Sequence, residues 1–334
     1  MYYLAFGEKR YHLCYNFSGD KKMPAIYTHN VFAKNVYNNL DENIQKKFVD
    51  KINIYELFSQ SFDFLYYYNF LSLKPGRKIR KFGRYCHRNN TQDYLLNIIK
   101  YIKKNKLYNN TDVLAYLYGS INHYTCDTTM HPYVNYLCSI AKDKVGMHTK
   151  LEFEIDAYYY ELVNNKPFHK YDITKDLLNK VRFSQELKKC LNNVFKQTYD
   201  VDNLGDIYEK SYNQSSTIFK LAMIDKYGIK KFIYKILDLI TVRFNIKCSH
   251  CSFYIKNVDK AFLNMNNKEW YNPSNKKIKS NLSWNELFDS AKDKSIKLIT
   301  LCDKYFNNKI SLKKLTAQIP NISYVNGLII KQKN

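Results

Sequence analysis

The chain lacks any apolar run of the roughly 18 residues that a bilayer-crossing helix needs. Lys9 and Arg10 stand near its start, but no apolar stretch with a small-residue cleavage site follows them, so no secretory signal is recognised. Cysteine is sparse: 8 residues in 334 do not make the dense framework of a small secreted module. The CxxC at Cys248 and Cys251, with His250 between, has no second CxxC to complete a zinc ribbon and reads as structural or incidental. Together these absences predict a reducing, cytoplasmic setting. Acidic residues are also short, 30 against 53 Lys and Arg, which leaves a formal net charge of +23. Such a field attracts nucleic acid, anionic membrane surfaces or phosphorylated substrates. Lys, Asn, Ile and Tyr are over-used together, however, as an AT-rich genome would produce, so the charge alone selects no partner.

What the chain does have is 45% hydrophobic residues, enough for a sizeable core. No internal repeat and no convincing linker appears, and alternating, strand-like stretches are scarce. The pattern predicts an all-α fold, a single multi-helix bundle over residues 23–334. Residues 1–22 read differently. "FSGDKKM" resembles a translated ribosome-binding site, which predicts Met23 as the native start and the preceding residues as a non-native or disordered extension. Helical spacing of Val113, Leu114, Leu117 and Ile121 predicts a long helix opening on Thr111 and Asp112, with a second helix closing at the "NNKP" breaker, Asn164 to Pro167. The stretches 173–199 and 211–244 read as further continuous amphipathic helices. "SLKPGRK" and "NMNNKEWYNPSNKK" read as polar loops. Ser283, with Glu286 three residues on, predicts a capping box.

The chemistry concentrates in "INHYTCDTTMHP", Ile121 to Pro132. Residues four apart share a helix face about 6 Å apart along the axis. His123, Asp127 and His131 therefore make one column of imidazole, carboxylate, imidazole. After "DKVGM" the column repeats with His148 and Glu152, and Asp156 lies one turn further on as an outer group or a surface one. Two antiparallel helices joined by that break would bring both columns into a bundle core, as in metal-binding bundles. Satisfied histidines with surface carboxylates are the plain alternative for either column alone. His12, His169 and His250 read as ordinary surface or loop histidines. Tyr66, Tyr67 and Tyr68 read as packing residues or as lining of a cleft.

These segments resemble the zinc-dependent phospholipase C family, its non-secreted bacterial branch more than its secreted toxins. "GSINHYTCDTTMHPY" and "HTKLEFEID" carry the resemblance first. "MPAIYTH", "FSQSFDFLYYYN" and "RKFGRYCHRNNT" follow, with His29, Asp63 and His87 on the family's ligand positions. "EWYNPSNKKIKSNLSWNELFDSA" and "NISYVNGL" extend the likeness, so that it runs from Met23 to Leu328. It implies two or three zinc ions. One would sit on Asp63, His87, His123 and Asp127, a second on His131, His148 and Glu152. A third would use His29, the shared Asp127 and an amino-terminal tryptophan, which has no counterpart here. The Asp127–His131 spacing is also shorter than in the toxins, and no appended β-sandwich is seen.

The resemblance implies phospholipase C-type hydrolysis of a phospholipid, with Asp63 orienting or deprotonating the attacking water. Single-strand nucleases share the fold, and a nucleic-acid substrate ranks second. A non-catalytic, basic binding protein with structural metal is a third reading. Peripheral contact with an anionic membrane surface fits the charge.

Overall fold

In a computed structural model, residues 25–244 and 246–331 are described; the expected extension at 1–22 and the histidine at 12 lie outside them. Helices dominate, as the periodicity predicts. They are α1 (Ile26–Asn38), α2 (Glu42–Gln45), α3 (Ile52–Phe58), α4 (Arg77–Cys86), α5 (Thr91–Lys104), α6 (Thr111–Ile140), α7 (Met147–Asn164), α8 (Ile173–Asp176), α9 (Gln185–Tyr199), α10 (Leu204–Ile218), α11 (Ile229–Thr241), α12 (Trp284–Phe306) and α13 (Leu312–Thr316).

The axis is α6. Its first half is apolar on every side, and Val113 to Tyr118 are wholly buried, the signature of a helix surrounded by others. The N-cap is Asn110, one residue before the expected Thr111, with its side-chain oxygen accepting from the Val113 amide at 3.1 Å. Around α6 stand α3, α12, α1, α5, α7 and α9. The backbone of α3 comes close to it because Gly119 has no side chain: a Cβ there would sit 2.4 Å from the Tyr55 carbonyl and 2.8 Å from Phe58 Cβ. On its other side α12 starts with the expected capping box, Ser283 and Glu286 each bonding the other's backbone.

The second buried anchor is Asp156 on α7, which is fully buried and so is not the surface group that spacing left open. Its carboxylate accepts from the amides of Tyr27 (3.1 Å) and Thr28 (2.7 Å) and from the Thr28 hydroxyl (2.6 Å). Those amides are in the first turn of α1, where helical donors have no intrahelical partner, so α7 supplies from a distance what a cap supplies locally. Ala25, at the N-cap position itself, has no oxygen to offer.

Three segments differ from expectation. The stretch 173–199 is two helices, α8 and α9, parted by a non-helical segment in which Val181 and Phe183 donate to Asn213 and Glu209. The stretch 211–244 breaks after a π-helical turn, Phe219–Met223, and resumes after Gly228, which takes a left-handed φ of +82°. The loop read over 264–277 contains most of an antiparallel hairpin, β1 (Trp270–Asn272) and β2 (Asn275–Ser280), with a register shift between Tyr271 and Asn272. Trp270 explains its docking: the ring packs on Tyr133 and Tyr136 of α6.

Gly119→Ala inserts a methyl group against backbone that cannot yield cheaply. The expected loss is about 1–3 kcal/mol, read as a lowered urea midpoint at unchanged slope; a midpoint equal to wild type would mean that the α3–α6 approach is looser than described.

Candidate metal centre

The sequence columns form because α6 and α7 lie side by side, and three other segments add to them. His29 comes from the first full turn of α1, Asp63 from the 3-10 turn Ser61–Tyr67, and His87 from the C-cap of α4. All eight sequence-predicted residues come together, and all are buried except His131, whose side chain is 15% exposed.

In the first cluster His87 Nε2 lies 3.0 Å from Asp63 Oδ1 and 3.4 Å from His123 Nε2. Asp127 is the hinge to everything else. Its Oδ1 lies 3.5 Å from His29 Nε2, and its Oδ2 lies 3.6 Å from His123 Nε2 and 3.4 Å from His131 Nδ1. In the second cluster Glu152 Oε1 lies 2.8 Å from His148 Nε2 and 3.7 Å from His131 Nε2.

Two backbone carbonyls decide which nitrogens face inward. A carbonyl only accepts, so His87 Nδ1 donates to Gly83 O at 2.8 Å and His131 Nδ1 donates to Tyr324 O at 2.7 Å. In the neutral ring each Nε2 is then a lone pair. His87 thus aims a lone pair at a carboxylate oxygen and at another imidazole nitrogen, a repulsive arrangement unless a cation sits among them.

Burial acts in the same direction. It pulls His29 down to about 4 and His123 well below the ordinary imidazole range, so both rings are neutral near pH 7, the form a metal needs. Burial alone would raise Glu152, but the imidazoles of His148 and His131 bring its carboxyl down to about 2, fully ionised. Glu152 Oε2 and His29 Nδ1 are buried without a hydrogen-bond partner. Zinc fits this donor set. Tetrahedral N and O donors at roughly 2.0–2.1 Å from zinc are about 3.3–3.4 Å apart, and the separations here scatter around that edge. Cys126 lies near His29 and Asp127, but its thiol points to Met130 Sδ at 3.8 Å and burial pushes its pKa well up, so it stays protonated.

The segment within "NISYVNGL", which the sequence joins to the resemblance without a role, closes the centre. Residues 323–327 cross α6 with the Tyr324 ring against His87 and His123, its amide donating to His87 O and its carbonyl held by His131. Gly327 makes the crossing possible. Its φ is +66°, and a Cβ there would fall 2.7 Å from Thr128 O, the carbonyl that Pro132 leaves without a helical amide. Backbone groups leave little trace in a sequence, and the stretch is marked there only by the likeness of "NISYVNGL" to the family. Of the three tyrosines, Tyr66 stacks on His87 while Tyr67 and Tyr68 pack elsewhere, on Phe64 and Phe219 and under Lys210. His169 and His250 lie away from the donors, the first edge-on to Tyr254, the second bonded to Gly146 O.

A family model described as zinc dependent phospholipase C matches residues 28–201. No curated protein and no solved structure matches the chain.

The depressed imidazoles set a pH dependence for the metal-free chain. His29 binds a proton more readily unfolded, at 6.5, than folded, at about 4. Its contribution is therefore complete above that upper value and is lost as pH falls through the window. Asp156, raised by burial to about 7, acts oppositely, losing its contribution as pH rises from 3.8. Chelator-treated His29→Gln should show a flatter decline of urea midpoint from pH 6.5 to 4 than wild type. Parallel profiles would show that His29 is not held neutral.

Proposed function

The chain belongs to the zinc-dependent phospholipase C family, and from that premise we propose that it hydrolyses a phospholipid at the phosphodiester bond on the glycerol side. The products are diacylglycerol and a phosphorylated head group. The observation that carries this reading is the convergence of eight nitrogen- and oxygen-bearing side chains from five segments, with neighbouring donors 2.8 to 3.7 Å apart.

Asp63, His87, His123 and Asp127 would hold one zinc ion, and His131, His148 and Glu152 a second. His29 with the other oxygen of Asp127 offers a third position. Bound zinc supplies Lewis-acid stabilisation of the phosphoryl oxygens and an acidified water. The residues themselves set direction. His123 is fully enclosed and Asp127 nearly so, whereas the side chains of Asp63, Glu152 and His131 keep 9 to 15% exposure. Those three mark the mouth through which a phosphate reaches the donors. Asp63 there orients the attacking water and takes its proton on a carboxylate oxygen. The carbonyls of Gly83 and Tyr324 hold two rings in one tautomer, and the buried rings of Phe62 and Tyr324 exclude water from behind the cluster.

Chelated protein should lose hydrolysis of a chromogenic phosphocholine diester and regain it with zinc. Asp63→Asn should lower kcat by roughly 10²-fold or more in the zinc-restored protein. A zinc-loaded protein that degrades single-stranded DNA and leaves the diester intact would reassign the substrate, and one inactive on both would leave a binding protein.

A further inference from the structure

The polarity of α11 is inverted. At 100° per residue, Ile229, Phe232, Ile233, Ile236, Leu237, Leu239 and Ile240 fill an arc of about 160°, and every one of them is exposed, Leu239 by 84%. The face turned to the protein is polar. Lys231 donates to Tyr254 O at 2.8 Å, Tyr234 to Ala222 O at 2.8 Å, and Asp238 accepts from the Ser249 amide at 3.2 Å. Exposed Tyr227, Val242 and Phe244 prolong the apolar strip past both ends. A soluble surface rarely shows so large an apolar face, and the inward hydrogen bonds fix it outward.

We propose that α11 is an interfacial helix that seats the protein on an anionic phospholipid bilayer, with its apolar arc among the acyl chains and its axis in the membrane plane. Charge selects this partner. Lys235 borders the arc beside Leu239, while Lys226 and Arg243 stand exposed at its ends. The acidic groups of the stretch, Asp225 and Asp238, are turned inward; Asp225 accepts from the amides of Gly228 and Lys231 and from Ser252 Oγ. The outer surface of the helix is therefore apolar with a cationic rim, the complement of an acyl layer under anionic head groups. Length agrees: 13 residues make about 20 Å, too short for a hydrocarbon core of about 30 Å. No helix among the described residues is long and apolar enough to span one.

The seat is tied to the metal centre. The short turn Cys248–Cys251, held by Asp238, reaches α7, where His250 Nδ1 donates to Gly146 O at 3.1 Å. Gly146 caps the helix that carries His148 and Glu152, and Phe253 packs on Phe153 one residue beyond that carboxylate. The docking helix is thus joined by direct contacts to the helix that carries two of the donors. This role rests on the phospholipid reading above, though the binding step itself needs no turnover.

The test is flotation of the full, zinc-loaded chain with vesicles of phosphatidylcholine, with and without phosphatidylglycerol. Wild type should float with the anionic vesicles and release at high salt. Ile236→Glu/Leu239→Glu, both on exposed sites, should cut the bound fraction at least about tenfold with unchanged circular dichroism. Equal flotation of wild type and variant, or none by either, overturns the proposal. So does a wild-type dimer that the substitutions convert to monomer without changing flotation, which would give the face to a second copy. Hydrolysis of a dissolved short-chain phospholipid separates the two readings. Flotation without hydrolysis removes the lipase reading and leaves the docking helix standing, whereas hydrolysis without flotation does the reverse.

Discussion

A carboxylate buried among neutral rings is the constraint on which this molecule turns. Asp127 is 2% exposed, and imidazoles approach both its oxygens, two of them kept uncharged by burial. Burying a charge is costly unless it is paired and hydrogen-bonded. A cation among these donors would suit that carboxylate and would also take up the lone pair that His87 turns toward Asp63 and His123. The surrounding helices look arranged to preserve that one position. Gly119 lets α3 come close one turn before His123, and Asp156 fixes the first turn of α1 just ahead of His29.

Much of the donor cluster is legible in the sequence, because its densest part is local. His123, Asp127 and His131 depend only on helical spacing, and so do His148 and Glu152. Asp63, His87 and His29 came from resemblance, since no local rule links a 3-10 turn, a helix C-cap and the start of another helix. What remained hidden is carried by backbone. The carbonyls of Gly83 and Tyr324 select tautomers, and the amides of Tyr27 and Thr28 explain why Asp156 is buried. Such groups are present at every position and so carry no compositional mark.

The fold was legible in class and less so in punctuation. Continuous helical periodicity over 173–199 concealed a break, because Val181 and Phe183 are apolar at the right spacing yet spend their amides on Asn213 and Glu209. The hairpin at β1 and β2 reads as a loop because its strands are short and Lys- and Asn-rich; a single buried tryptophan, Trp270, seats it. In α11 the periodicity was right and the inference of an inward apolar face was not available from it. An amphipathic pattern says that two faces differ and leaves open which one the protein keeps.

The closing segment has a bearing on how the protein comes to life in a cell. A ribosome that has already made His29 through Glu152 still has to add a stretch longer than that whole span before Tyr324 can offer its carbonyl to His131. Until then one imidazole in the middle of the cluster lacks the acceptor that fixes its proton. The donor cluster is thereby built from both early and late parts of the sequence, and its last backbone acceptor is among the latest segments to be made.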